Sequence, residues 1–393
     1  MDLIDLNALN LNALNLNATD TPRLDAPACE QVALRLAQAP RKSKKVQVKI
    51  KRRSLHGVLL IDKPLGASSN QVLQRVKWLL KAEKAGHTGT LDPLASGVLP
   101  ICLGAATKFS QLHLDANKTY LAIARLGQNT STADAEGEIT QTRDASGVDL
   151  SVPRLAQVQA SFTGPIEQTP PMYSALKVEG KALYDYAREG VEIELQPRKI
   201  TIHELEMTEY KSLSDLERLS SLAHWKLNEA FAQEAQEAQE VAGTRALAFK
   251  VQCSKGTYVR TLAQDIGEHL GVGAHLVYLR RTASGEFGID QCMDMDALEA
   301  LSQGPQPQEA LRKILPTECL LKGHEPIVLD ESESAKFLSG VRRTGPWRDF
   351  DRVAVYAQHP SVLLGSAHTK GGELIPDRLL NPLEINSILE SLL

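Results

Sequence analysis

The sequence predicts an α+β fold, with a mixed or antiparallel central sheet flanked by helices and a small β-rich domain at the C-terminal end. Three observations predict it. Short apolar runs and helical patterns are interspersed without the strict strand–helix–strand rhythm of a parallel-sheet protein. A Gly-Pro-Gln-Pro-Gln stretch at 304–308 interrupts the pattern as a linker would. Beyond it lie only short strand candidates, at Arg352–Tyr356 and Ser361–Ala367.

The elements follow in order. Residues 1–53 read as a disordered extension. It opens on a biased repeat, Leu-Asn-Ala-Leu-Asn-Leu-Asn-Ala, in a residue that forms helices poorly. It ends in a basic arm at 41–53 with eight cations and no acid. Such a run suits either a polyphosphate partner or a solvated tail. Gly57–Asp62 is a short apolar run closed by Lys63-Pro64 and reads as a buried strand. Ser68 and Ser69 can cap the next helix, in which Val72, Val76, Leu79 and Leu80 share one face. From Gly86 to Gly97 the glycines and prolines read as a loop. Strands are expected at Thr119–Leu126 and Leu247–Cys253. Residues 209–245, which contain Gln-Glu-Ala-Gln-Glu-Ala-Gln-Glu, read as a surface insertion. The domains expected are 1–53, 54–305 and 315–393.

Bulk properties narrow the class. The 393 residues are 42% hydrophobic and 23% charged, with a formal net charge of −4. That is ordinary for a globular chain and argues against a uniformly cationic nucleic-acid coat. The five cysteines are scattered, with no Cys-x-x-Cys pair, so neither a disulfide framework nor a zinc ribbon is expected, and a reducing cytoplasm fits. No apolar run approaches the ~20 residues of a membrane span.

The stretch with most chemical content is 86–100, Gly-His-Thr-Gly-Thr-Leu-Asp-Pro-Leu-Ala-Ser-Gly-Val-Leu-Pro. It holds one acid, Asp92. The following proline favours extended geometry at Asp92 and would project it from a rigid loop. By itself this is equally an ordinary Asp-Pro turn. It is not a Walker loop, because no Gly-Lys-Ser/Thr follows at the required spacing. No cluster has metal-ligand spacing, and no dinucleotide-binding glycine pattern occurs.

Four blocks resemble the TruB family of pseudouridine synthases, in the family's order. They are Gly-Val-Leu-Leu-Ile-Asp-Lys-Pro at 57–64, the stretch 86–104, Thr-Pro-Pro-Met-Tyr-Ser-Ala-Leu-Lys-Val-Glu-Gly-Lys at 169–181, and 254–285 from Ser-Lys-Gly-Thr-Tyr-Val-Arg through Leu-Arg-Arg. The resemblance implies a pseudouridine-synthase fold and an isomerase acting on uridine 55 in the T loop of tRNA. It implies Asp92 as the catalytic nucleophile, Arg260 as its ion-pair partner and Tyr120 stacking on the target base. Tyr258, Leu279, His87 and Lys63 would contact substrate, with Lys63 alternatively supporting the sheet near the site. Residues 315–385 resemble a PUA-like RNA-binding domain, on Leu-Ser-Gly-Val-Arg-Arg from 338 and Gly-Gly-Glu-Leu-Ile-Pro-Asp-Arg-Leu-Leu from 371.

The chemistry agrees with these assignments. Breaking the C–N glycosidic bond and re-forming it as C–C calls for an ionised carboxylate, and a nearby cation should hold its pKa down. A cation at Arg260, in the first turn of a helix patterned by Leu262, Ile266 and Leu270, opposes the helix dipole and suits pairing with an acid from elsewhere. Tyr120 alternates with Ala122 and Ala124, which leaves room for a ring to stack. The target base must be flipped out to be reached. The reaction transfers no electrons, so no cofactor is expected. The partner expected is the T arm of tRNA, with no membrane and no protein partner, the enzyme acting as a cytoplasmic monomer. Two other readings use the same residues: a non-catalytic RNA-binding or RNA-folding protein, and a guide-dependent synthase acting on ribosomal RNA.

Overall fold

The structure, a computed structural model, describes residues 52–174, 176–191, 193–221 and 245–392. The repeat, nearly all of the basic arm and residues 222–244 of the proposed insertion lie outside the described residues.

One mixed sheet organises the chain. Its strands are β1 (Gly57–Lys63), β2 (Ala95–Leu103), β3 (Lys118–Leu126), β4 (Gly164–Gln168), β5 (Arg198–Tyr210), β6 (Ala246–Cys253) and β7 (Ala274–Ser284). They lie in the order β1-β2-β7-β3-β6-β5-β4. Only β2 and β7 pair parallel along this path; the other pairs are antiparallel. Among helices, α1 (Ser69–Leu79), α2 (Val152–Phe162), α3 (Leu213–Ser221) and α4 (Val259–His269) flank it.

Strand alternation sends successive side chains to opposite faces. In β1, Leu59 and Ile61 pack under α1 with Leu99 and Ile101. Val58 and Leu60 point the other way, into a core shared with Ile327, Phe337, Val353 and Leu363 of the C-terminal strands. The linker expected at 304–308 therefore does not interrupt the apolar interior, and Leu315 exchanges two backbone hydrogen bonds with Val58, both of 2.8 Å. The C-terminal part is a five-stranded sheet, Glu325–Leu329, Phe350–Ala357, Val362–Lys370, Glu373–Leu379 and Arg343–Thr344 in spatial order.

Local signals explain the helix starts. Ser68 accepts from the Gln71 amide while the Gln71 side chain returns to the Ser68 amide, a capping box that fixes the entry to α1. Val72, Val76, Leu79 and Leu80 are all buried. The segment read as a surface insertion begins within the sheet. Residues 209–210 finish β5, and Leu216 and Leu219 of α3 bury against Tyr210 and Ala246.

Two strands differ from the loop expected at 86–97. Ala85–His87 pairs with β2, and β2 itself starts at Ala95 and is buried along its whole length. Gly97 and Pro100 read as turn residues but serve another purpose here. A Cβ on Gly97, whose φ is +104°, would lie 2.2 Å from the Arg281 carbonyl oxygen, so only glycine allows β2 and β7 to come this close. Among the described residues, no helix is long and apolar enough to cross a membrane.

Candidate active site

The loop from Thr88 to Leu94 carries Asp92, and the backbone on both sides of it is pinned. Ser69 Oγ, at the start of α1, accepts from the Leu91 N–H (2.8 Å) and donates to the Leu91 carbonyl (3.0 Å). The Pro93 carbonyl accepts from the Gly66 N–H (2.9 Å), and the Asp92 carbonyl from the Ala95 N–H (3.0 Å). A rigid loop holding one acid is therefore anchored to a helix start and a strand start.

Arg260 reaches that acid from α4, across 168 positions of sequence. Its Nε lies 2.9 Å from Asp92 Oδ2. Its Nη1 donates to the Thr132 carbonyl (2.8 Å) and lies 3.5 Å from Asp134 Oδ2, and its Nη2 donates to the Tyr173 carbonyl (2.8 Å). The planar fork thus meets two carboxylates and two carbonyls, which a flexible ammonium could not do at once. The acids also offset its unfavourable place in the first turn of α4.

Asp92, Tyr120, Tyr258, Arg260 and Leu279 line one cavity of about 310 Å³, at the lower end of the ~300–1,000 Å³ of small-molecule sites. Tyr120 shares its core cluster with Leu91, Ala95, Ala122 and Leu279, and the charge of Arg281 acts on its hydroxyl. Tyr258 caps α4, and its backbone is fixed by a two-way bond to the Gln168 amide. Lys118, Arg281 and the Ser254–Thr257 turn complete the wall.

His87 and Lys63 stand outside this lining. His87 ends the short strand 85–87, and its Nδ1 is buried without a hydrogen-bond partner among the described residues. Burial, then the charge of Arg281, holds its imidazole below the usual 6.5, so it is neutral at pH 7. The Lys63 side chain is fully buried and its ammonium donates to the Pro64 and Ala67 carbonyls, while its charge still reaches Asp92.

The expectation that a cation holds the pKa of Asp92 down needs correction. Loss of hydration is the largest influence and raises it, and nearby Asp134 raises it further; Arg260 and Lys63 pull it down without prevailing. The side chain keeps 42% of its surface open to water, but the surrounding protein displaces part of its hydration. Arg260 offsets these influences in part and favours the ionised form.

Sequence reasoning missed Asp134, Arg281, Lys118 and Ser69 as parts of this site. A signal for Arg281 was available: two adjacent arginines following Val277-Tyr278-Leu279 in a buried strand must each find a partner. Arg280 points to the opposite face and pairs with Asp62, while Arg281 Nε donates to the Val98 carbonyl (2.7 Å). Asp134, in Ser-Thr-Ala-Asp-Ala-Glu, carries no comparable local signal.

Comparison with known proteins follows the same lines. Residues 77–221 match the family described as TruB family pseudouridylate synthase (N terminal domain), and 260–322 match the tRNA pseudouridylate synthase B C-terminal domain. The chain is 51% identical over 345 residues to a tRNA pseudouridine synthase B of Verminephrobacter eiseniae, covering 88% of this chain and 95% of that one. A tRNA pseudouridine synthase B of Cupriavidus pinatubonensis is 43% identical, with 84% and 96% covered. Among solved structures, a chain of a Cbf5-Nop10-Gar1 complex shares the fold, with a TM-score of 0.58 at 24% identity over 84% of this chain and 86% of that one.

Proposed function

The chain belongs to the TruB family of pseudouridine synthases, an isomerase family, and from that premise we propose that it converts uridine 55 in the T loop of tRNA to pseudouridine. The observation that carries the reading is the contact of Arg260 Nε with Asp92 Oδ2, 2.9 Å, at a cavity walled by Tyr120, Tyr258 and Leu279. A flipped uracil entering there meets an aromatic face, an aliphatic face and one carboxylate.

Asp92 acts as the ionised group, either attacking the nucleotide or assisting departure of the base. Tyr120 stacks on the target ring. Arg260, fixed by three other partners (the Thr132 and Tyr173 carbonyls and Asp134), positions Asp92 and favours its charged form. Tyr258 and Leu279 hold the base, and neutral His87 contacts the flipped nucleotides beside the cleft. Lys63, with its ammonium turned to Pro64 and Ala67, supports the loop rather than the RNA. Recognition rests on shape, phosphates and flipped bases. The C-terminal sheet serves as a PUA-like RNA-binding unit. The enzyme works on free tRNA, in the cytoplasm, as a monomer without cofactor. The names carried by its curated relatives favour tRNA over a guided substrate.

The test is tritium release from 5-tritiated uridine in tRNA transcripts. Asp92→Asn should abolish release while RNA affinity stays within about tenfold, roughly 1.4 kcal/mol. A transcript altered at position 55 should lose release with the wild-type enzyme. Turnover by Asp92→Asn near the wild-type rate would sink the assignment.

A further inference from the structure

Three cations that line the active-site cavity, Lys118, Lys255 and Arg281, have no part in the chemistry above. Lys118 lines the cavity, yet its side chain is almost completely buried, an uncommon state for lysine. It lies on β3 two residues before Tyr120, so strand alternation puts both on the same face. Its ammonium donates to the carbonyls of Leu114 (2.6 Å) and Ala116 (2.5 Å). Both acceptors are neutral. Asp115, the acid nearest in sequence, is engaged by Lys255 at 2.9 Å. Two of its three N–H groups are thus committed to carbonyls, and the residue lines the cavity. Burying a full charge against neutral partners is costly, and it is intelligible where negative charge is to appear.

We propose that Lys118 is a catalytic residue, whose charge and third N–H stabilise the negative charge that gathers on the uracil carbonyls during the isomerisation. This rests on the function proposed above. If the N1–C1′ bond breaks first, its electron pair stays with the base and spreads from N1 onto O2 and O4. If a carboxylate adds to the ring instead, the electrons of the C5=C6 bond move out onto O4. In both routes a carbonyl oxygen gains charge, the ammonium keeps its proton, and the charge is discharged when C5 bonds to C1′, C5 loses its proton and N1 takes one up; in the addition route the N1–C1′ bond breaks in the adduct and the carboxylate–C6 bond then breaks to return Asp92. A fixed cation beside developing charge, in a site poor in water, is the arrangement that lowers such barriers most.

The groups around Lys118 set its titration. Arg281 faces it from β7, Cys253 from β6, Asp115 and His113 from the helix Ser110–Leu114 and its exit, Lys255 from the loop after β6, and Tyr120 from its own strand. Burial, then the Arg281 charge, brings the ammonium from 10.5 down to about 8. Burial pushes the Cys253 thiol up to about 11, so it does not supply a counter-charge at neutral pH. Lys118 is therefore cationic at pH 7 and loses its charge in mild alkali.

The experiment is single-turnover isomerisation of a T-arm hairpin across pH 6–10 with wild type, Lys118→Arg and Lys118→Met. The wild-type rate should fall about tenfold per pH unit above about 8. Lys118→Arg should move that fall to higher pH, because a guanidinium stays charged. Lys118→Met should lose about 10²–10³-fold at pH 7, with hairpin affinity within about threefold. A wild-type profile flat to pH 10, or the same alkaline fall in Lys118→Arg, overturns the proposal. So does a Lys118→Met enzyme that is only less stable, with an unchanged rate per folded molecule. If Lys118→Met does not fold, the Lys118→Arg profile still decides. A wild type that releases no tritium from any tRNA refutes the parent function, and this role with it.

Discussion

Replacing Arg260 by methionine tests the centre of the site, and its cost can be worked out partner by partner. Arg260 and Asp134 have side-chain exposures of 6% and 3%, so removing the guanidinium leaves the Asp134 carboxylate buried without a cation. Breaking a buried pair by deleting one partner costs about 3–5 kcal/mol. Asp134 keeps its bonds from Thr132 Oγ1 and the Glu136 N–H, which places its share near the lower value. The Thr132 and Tyr173 carbonyls lose their donors, worth about 1 kcal/mol each if water cannot replace them. Asp92, with 42% of its side chain exposed, is rehydrated and adds about 1 kcal/mol or less. The expected loss is therefore about 3–6 kcal/mol, read by urea denaturation at pH 7.5. A second change separates the causes. Adding Asp134→Asn removes the stranded charge and should recover about half of the loss, whereas tritium release should stay absent because Asp92 still lacks its cation. If Arg260→Met unfolds within about 1 kcal/mol of wild type, or if Asp134→Asn recovers nothing, the network is not the stabilising unit its distances indicate.

Two further outcomes follow from the same geometry. Ser69→Ala removes both bonds to Leu91 and should cost about 1–3 kcal/mol, with a lower isomerisation rate at unchanged hairpin affinity; a rate equal to wild type would show that the loop needs no such anchor. Because the pKa of Asp92 is raised above the ordinary 3.8, its carboxylate is lost at a higher pH than in a free aspartate. The rate should accordingly decline on the acid side above pH 3.8, and a profile flat to that point would contradict the burial argument.

The residues that the sequence disclosed and those it hid differ in a physical way. Asp92 and Tyr120 announce themselves locally, one by a proline-fixed turn and the other by small neighbours at period two. Arg260 is legible because a cation in a helix's first turn needs an acid from elsewhere, and only folding could show which acids. Asp134 lies between them, held by Thr132 and a backbone N–H in a turn that looks like any polar loop. The strand Ala95–Leu103 was illegible for the opposite reason. Gly97 and Pro100 normally end strands, but here close approach to Arg281 demands the glycine. Pro100, though paired opposite Leu60, still offers its carbonyl to the Thr88 N–H.

The same distinction explains why the pKa of Asp92 moved against expectation. A pairing argument sees one cation and one acid and concludes that charge is favoured. The fold adds what pairing omits: the ring of protein around the cavity, and a second carboxylate, Asp134, sharing the same guanidinium. One arginine between two acids cannot fully neutralise both, and the Asp134 carboxylate raises the cost of charge on Asp92. Two further cations, Lys118 and Arg281, lie toward Tyr120: the charge of Arg281 acts on the tyrosine, and Lys118 shares its strand face. Charge in the cavity is thus separated, with negative groups at the Arg260 end and positive groups at the base-stacking end. An incoming uracil, neutral before reaction, gains little from either pole. A uracil that has begun to carry the electrons of its broken or attacked bond gains from the positive one, and that difference between ground and transition state is where rate acceleration arises.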